Sequence, residues 1–427
     1  MKTKLNNSRY VITFAMLLML LMLLQACDNN NSEPVNLNIE TMTINGEDLN
    51  GIKSPENIST NPEIVVTFNS DIKPETATES NVKLIQDYDE EEIEIEISVL
   101  GPTLTVVPKI SLGNGTLYRF QISANLLNLD EQSLTATTRT FTTMGTFSPP
   151  GIIAHYTFEG IPDDIQNDFD PLVTGVIDID YTRSRNENAG LAATFNGTTS
   201  IIEIPNGDLL MNSNDFTICF WVKTDSEGHL DASGNPKGHF VMGLGAFFGF
   251  QYEIFSSYDG SKFAIQYQLA DGSTASDDMW FPYDAQDATN GGWQGWDFAK
   301  SLSIEQMQGY LKDTWTHITF VHHSDSKKSS LYFNGELMKS YDFNLWPDDD
   351  PKKTVTGLKY GGSTPDVVNE LALGFIHSRS GIMWDTEPWG DYERPTSNHF
   401  RGQLDDIKIY HKPLTSTEIQ LIYSSEQ

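Results

Sequence analysis

The closing stretch of the chain constrains its fold most. From Phe400 to Tyr410 it reads Phe-Arg-Gly-Gln-Leu-Asp-Asp-Ile-Lys-Ile-Tyr, with Ile407 and Ile409 set between charged or polar neighbours. A strand with one buried face has that period, and Pro413, which cannot donate to a ladder, ends it. Thr415 or Ser416 can then cap a helix with Glu418 in its first turn, and Ile419, Leu421 and Ile422 supply a short apolar edge. The chain is expected to finish as a strand with a helical turn docked on its sheet.

Upstream lie pieces of the same kind: Ala154-His-Tyr-Thr-Phe-Glu-Gly160, Phe195-Asn-Gly197, Phe216-Thr-Ile-Cys-Phe-Trp-Val222, Trp315-Thr-His-Ile-Thr-Phe320 and Leu331-Tyr-Phe-Asn-Gly335. Together with the closing stretch they resemble, in order, the laminin-G-like members of the concanavalin A-like jelly rolls, from residue 152 to 427. Trp221 and Trp315 would then belong to core-facing strands. The apolar run Val241 to Phe250, interrupted by glycines, reads as a buried strand that allows close packing.

Residues 37–145 carry another all-β pattern. Ile64 to Phe68, Val82 to Leu84, Ile93 to Ile97, Leu104 to Val106, Tyr118 to Ile122 and Arg139 to Thr143 are spaced as sandwich strands. Val66 to Ile72, Thr103 to Pro108, Leu112 to Tyr118 and Phe141 to Thr143 resemble the bacterial Ig-like domain of surface-layer and secreted proteins, which implies a spacer. Asp87-Tyr-Asp-Glu-Glu-Glu92 reads as a hairpin turn solvated by carboxylates, not a metal loop, since no Gly or Asn fixes ligand geometry. Thr146-Phe-Ser-Pro-Pro-Gly151 is expected to be a stiff linker. The fold class is therefore all-β, an Ig-like sandwich followed by a jelly-roll sandwich.

The N-terminus decides location. Lys2, Lys4 and Arg9 precede the apolar run Val11 to Leu24, which at roughly 14 residues suits a secretory signal and is short for a spanning helix. Leu24-Gln-Ala-Cys27 resembles a bacterial lipobox, so residues 1–27 are expected to be a signal ending at a lipidated Cys27, anchored by acyl chains at about 0.8 kcal/mol per buried methylene. Residues 28–36 hold the polar tract Asp-Asn-Asn-Asn-Ser-Glu-Pro, read as a flexible leash. The tract is similar to the export signals of glycan-harvesting Gram-negative lipoproteins. An outer-membrane lipoprotein facing the cell exterior is expected, with a periplasm-facing one as the alternative.

A net charge of −32 over 427 residues disfavours nucleic acid as a partner. Of the two cysteines, Cys219 sits mid-strand as a buried thiol, so neither a disulfide nor a metal–thiolate site is expected. His322 and His323 fall on opposite faces of a strand and cannot share a metal, and His317 is expected to be structural.

Concanavalin A-like glucanases carry Glu-x-Asp-x-x-Glu on a strand so that nucleophile and acid face one cleft about 5 Å apart. No jelly-roll strand here has it; Asp178-Ile-Asp180 lacks the third acid. The protein is therefore expected not to be an enzyme. Five of the eight tryptophans fall in two irregular segments, Trp280-Phe-Pro-Tyr283 with Trp293-Gln-Gly-Trp296, and Trp384 to Trp389 with Tyr392 beyond. Trp280, Tyr283, Trp293, Trp296, Trp384 and Trp389 are the candidate carbohydrate-binding residues, because a sugar's C–H face stacks on a ring while its hydroxyls bond at the rim. Long loops also bury aromatics as satellite cores, and the sequence leaves both outcomes open.

A third candidate is a structural calcium. Related jelly rolls hold one with a Phe-Glu-Gly and a C-terminal Asp, which the resemblance carries to Glu159, Gly160 and Asp406, with Asp405 as the alternate. The whole reads as a lipid-anchored protein that captures a glycan, attached to the membrane only through its lipid and expected to work beside an outer-membrane transporter. An adhesion module that binds protein, or a glycoside hydrolase with unfamiliar acids, are the alternatives.

Overall fold

The computed structural model describes residues 35–282 and 296–427, with the backbone alone at Trp296. Residues 1–27, read as a signal ending at Cys27, and Tyr283 and Trp293 lie outside the described residues. The chain forms two compact units, both built of antiparallel sheets: one runs to Ile110 and takes in Leu117–Thr142, the other comprises Ser111–Thr116 and Thr143–Gln427.

The first unit is a two-sheet sandwich. One sheet orders Glu47–Asp48, Ile39–Ile44, Ile64–Phe68, Thr103–Pro108 and Ile95–Leu100; the other orders Glu92–Ile93, Val82–Gln86, Leu117–Ile122 and Thr137–Thr142. Alternate residues point inward, so Ile64, Val66, Phe68, Leu84, Leu104, Val106, Phe120 and Phe141 are buried. The run Ile93 to Ile97, expected as one strand, divides at Glu94 and gives one half to each sheet. The acidic cluster forms the turn before Glu92–Ile93, with Arg119 paired to Asp87 and Glu90.

The second unit stacks a nine-stranded on an eight-stranded sheet. In the first of these, Arg401–Tyr410 is the hub. One edge pairs with Phe216–Thr224; the other pairs with Leu191–Asn196 over residues 401–404 and with Ile152–Tyr156 over residues 407–410. The first and last strands of the unit thus lie side by side. Trp296 begins a strand, Trp296–Ala299, that pairs with Glu336–Asp342 of this sheet, where the sequence suggested an irregular segment.

The eight-stranded sheet orders Val176–Ile177, Ile201–Ile204, Leu371–Leu373, His239–Leu244, Phe250–Ile254, Ser261–Leu269 and Thr274–Phe281, with Val355–Leu358 also paired to Ser261–Leu269. The run Val241 to Phe250 is a hairpin and not one strand: Gly245 adopts φ +58° and Ala246 φ +49°, turning the chain into Phe250–Ile254. Between the sheets Phe263 and Phe320 stack at 4.3 Å between centroids, an arrangement that adds about 0.5–1.5 kcal/mol to the burial itself.

The C-terminal helix Ser416–Glu426 is capped by Thr415, whose hydroxyl accepts from the Glu418 amide while the Glu418 carboxylate accepts from the Thr415 amide. Ile419 and Ile422 are buried beneath it. Phe216, Ile218, Phe220 and Val222 of the neighbouring strand enter the inter-sheet core, so Cys219 and Trp221 point the other way, Trp221 against the helix at Tyr423 and Glu426. His317 packs on Trp221 at 5.2 Å, and burial pushes its pKa down to about 3, which keeps it neutral as a structural group. Phe147 and Ser148, in the stretch read as a linker, bond Ser425 and Tyr410 of the second unit.

Candidate functional site

Strand alternation decides what the eight-stranded sheet shows on its outer face. Phe250, Tyr252 and Ile254 enter the core and leave Gln251 and Glu253 outside; Phe263 and Ile265 leave Lys262 and Ala264; Met279 and Phe281 leave Asp278 and Trp280. Register sets Glu253 opposite Lys262 and Lys262 opposite Trp280. The Lys262 ammonium therefore sits between two carboxylates, 3.5 Å from Glu253 Oε1 and 3.3 Å from Asp278 Oδ2, and 5.2 Å from the centre of the Trp280 ring. Gln251 Nε2 donates to the other oxygen of Glu253 at 2.8 Å. Burial holds the Glu253 carboxyl above its usual range, with Lys262 pulling the other way.

The chain between Gly374 and Phe400 covers the adjacent part of this face. Its ends meet through Phe400 N donating to Gly374 O at 2.9 Å. Under it Phe240, Phe375, Ile376 and Trp384 form a small core of their own. Gly243 permits the close approach: a Cβ there would lie 2.0 Å from the Ile376 carbonyl oxygen. Lys237, 5% exposed, pins the far end by donating to the carbonyls of Gly197, Pro395 and Ser397 at 2.9–3.1 Å. Burial, then the charge of Arg401, pushes its pKa down to about 8, while the three carbonyls suit the ammonium form.

The excursion makes one wall of a cleft of about 460 Å³ whose floor is the strand face just described. Trp384, Trp389 and Phe247 line the wall; Gln251, Glu253, Lys262 and Asp278 line the floor. Trp384 is only 8% exposed, wedged against His377 at 5.1 Å and Phe247 at 6.3 Å. Trp389 is 41% exposed. Its carbonyl accepts from Asn398 N at 3.2 Å, and Asn398 O accepts from Phe240 N at 2.8 Å, so the backbone ties this ring to the sheet. The two tryptophans five positions apart thus take the two roles the sequence left open: one builds the satellite core, the other presents a ring. Trp280 is 39% exposed, but Lys262 and Phe255 already lie against it.

The cleft floor went unnoticed in the sequence. Its signal is there, in Gln251, Glu253, Lys262 and Asp278 between apolar neighbours on three strands, but Glu253, Lys262 and Asp278 become neighbours only through pairing. Elsewhere, a hollow of about 410 Å³ is lined by Thr182, Thr194, Lys223, Asp225 and Gln403, and its one ring, Phe195, is 2% exposed and offers no stacking face.

The residues considered for calcium are brought near one another, since Glu159 and Asp406 line one hollow of about 290 Å³, but Arg185 lines it too. Its guanidinium bonds both Asp405 and Asp406, each at 2.5 Å, and His155 Nε2 lies 3.2 Å from Asp406. Glu159 accepts from the Leu191 amide at 3.2 Å, and Gly160 is a turn residue at φ +83°. Among the described residues no group of three or more His, Cys, Asp or Glu is arranged to hold a metal ion. As placed, the carboxylates of Asp405 and Asp406 are both engaged by Arg185.

Comparison with known proteins places these units. Residues 52–143 match the family model of a bacterial Ig-like domain, and residues 196–366 match that of the concanavalin A-like lectin/glucanases superfamily, so both sandwich types expected from the sequence are present. No curated protein matches the chain. Among solved structures it is similar to the receptor binding domain of botulinum neurotoxin type G (14% identity, TM-score 0.37, 64% of this chain and 51% of that one). It is also similar to domain 4 of an extracellular arabinanase from Geobacillus stearothermophilus, in complex with arabinotriose (17% identity, TM-score 0.36, 64% and 98%). The chain spans about half the length of the neurotoxin domains it matches. At these scores neither structure informs the reading of this site.

Proposed function

We propose that this protein is a non-catalytic, lipid-anchored capture protein that holds a glycan in the cleft on the outer face of its eight-stranded sheet. The observation that carries this is Trp389, an aromatic ring left 41% exposed and tied by backbone bonds at the border of a cleft with a polar floor. A pyranose or furanose can lay its C–H face on the ring and give its hydroxyls to Glu253, Asp278 and Gln251. The family match to lectins and glucanases supports a sugar ligand.

Anchoring would come from Cys27, with the first unit as spacer and the cell exterior as the place of work, beside an outer-membrane transporter that takes up the captured oligosaccharide. Cys27→Ala should then release the protein from membrane fractions; retention would sink the anchor. For the cleft, native gels cast with a panel of polysaccharides should retard the protein, and Trp389→Ala should run unretarded. Equal migration in every polysaccharide refutes the reading, and release of reducing sugar would point to a hydrolase instead.

A further inference from the structure

Trp389 and Asn398 line a second hollow besides the cleft. This one measures about 370 Å³ and is lined besides by Asp231, Ser233, Lys237 and Thr396. Each of the two spaces lies within the range of about 300–1,000 Å³ in which small-molecule sites fall. Trp389 therefore borders two adjoining spaces and not one pocket alone.

The charges lining both spaces are already engaged. Lys262 is shared by Glu253 and Asp278, and Lys237 spends its ammonium on three backbone carbonyls. Among the described residues lining the two spaces there is no further Lys or Arg, while Asp231 adds a carboxylate held below its usual range by the Asn235 amide and side chain. A uronate or sulfate would find two cations already committed and three carboxylates near it.

Resting on the glycan reading above, we infer that the ligand is an internal stretch of a neutral polysaccharide, which crosses Trp389 with sugars in both spaces, and not a chain end or an acidic glycan. Two linked subsites make affinity rise with length, because the second unit binds as part of the same molecule.

Calorimetry on the full chain with di- to hexasaccharide ladders of β-glucan, xylan, mannan and arabinan, and with oligogalacturonides, tests this. The ladder that binds should gain about tenfold in affinity from di- to hexasaccharide, and oligogalacturonides should bind more weakly than it. Ser233→Trp, at an exposed position of the second space, should bring the hexasaccharide to within about threefold of the disaccharide in the same variant. Ala232→Trp serves as a second obstruction should the first fail to fold. Affinity flat with length, or oligogalacturonides bound more tightly, overturns the inference while leaving glycan capture standing. If no ladder binds, glycan capture itself falls and the inference with it.

Discussion

Asp405 and Asp406 are consecutive in the chain yet reach the same guanidinium, Arg185 Nη1 bonding Asp405 Oδ2 and Nη2 bonding Asp406 Oδ2, each at 2.5 Å. Neighbours on a regular strand point to opposite faces. Here Asp406 adopts φ +45° where the register against Phe216–Thr224 shifts, a bulge that turns both carboxylates to one side. Two like charges on one cation do not titrate alike. Burial and the adjacent charge of Asp406 push Asp405 up to about 8. Burial alone would raise Asp406 as well, but Lys408, the His155 hydrogen bond and Arg185 hold it well below the usual range.

The two aspartates should therefore respond differently to the same substitution. Asp406→Asn breaks a buried ion pair and should cost about 3–5 kcal/mol at pH 6 in chemical denaturation. Asp405→Asn exchanges one acceptor oxygen for an NH2 group facing the donors Ser184, Arg185 and Asp406 N, and should cost less, about 1–3 kcal/mol. The sign with pH follows. Asp405 has a folded value above its unfolded one, so its contribution is complete below about pH 4 and is lost as pH rises through about 8. Relative to Asp405→Asn, the native chain should lose stability between pH 6 and pH 9. Parallel curves would refute the assignment. Since Arg185 supplies the positive charge at this place, chelator and millimolar calcium should leave the melting temperature unchanged.

Trp384 and Trp389 should separate stability from binding. Removing the buried Trp384 ring empties part of the small core and should cost about 3–5 kcal/mol. Removing the exposed Trp389 ring should cost about 1 kcal/mol and abolish retardation in the polysaccharide gel that retards the native chain. Thermal melts alongside the gels check both, and a Trp389→Ala protein that melts early and still binds would contradict the assignment.

These two rings also show where sequence stops being informative. The closing strand, its helix and the Thr415–Glu418 cap depend on contacts within a few residues, and their periods and caps are written locally. Whether a tryptophan faces inward in an irregular segment depends on what lies beneath it, here Phe240 and Phe247 from more than a hundred positions earlier. The same holds for the cleft floor, where no local pattern joins Glu253 to Asp278; only the pairing of both strands with Ser261–Leu269 does. The bulge at Asp406 likewise gave two adjacent acids one partner, Arg185, from a distant segment that no local pattern names.

Gly243 is a lever on the wall of the cleft. A methyl group there would sit 2.0 Å from the Ile376 carbonyl oxygen and 2.5 Å from its carbon, both backbone atoms that cannot rotate away. Gly243→Ala should cost about 1–3 kcal/mol and lift the excursion that carries Trp389. Glycan retardation should weaken with the far-ultraviolet circular dichroism spectrum unchanged. Native-like binding in this variant would show that the excursion does not need its close seat on the sheet.

The floor of the cleft should answer to pH through Glu253. Burial holds its folded value above the unfolded one, although Lys262 and Gln251 favour the charged form. Folding therefore takes up a proton at this site. Its contribution is complete below the unfolded value, near pH 4, and declines as pH rises through the folded one. Glu253→Gln imitates the protonated group at every pH. The stability of the variant relative to the native chain should therefore be more favourable at pH 8 than at pH 4, whatever the constant cost of disturbing Lys262, which enters equally where Lys262 stays charged. Urea denaturation of both proteins at the two pH values measures the difference, and a gap independent of pH would mean that Glu253 titrates in the fold as it does in the unfolded chain. Glycan affinity gives a second readout on the same group: a carboxylate accepts hydrogen bonds from sugar hydroxyls with both oxygens, and a carboxyl with only part of that capacity. Binding by the native chain should weaken as pH falls toward 4, and Glu253→Gln should lose that dependence.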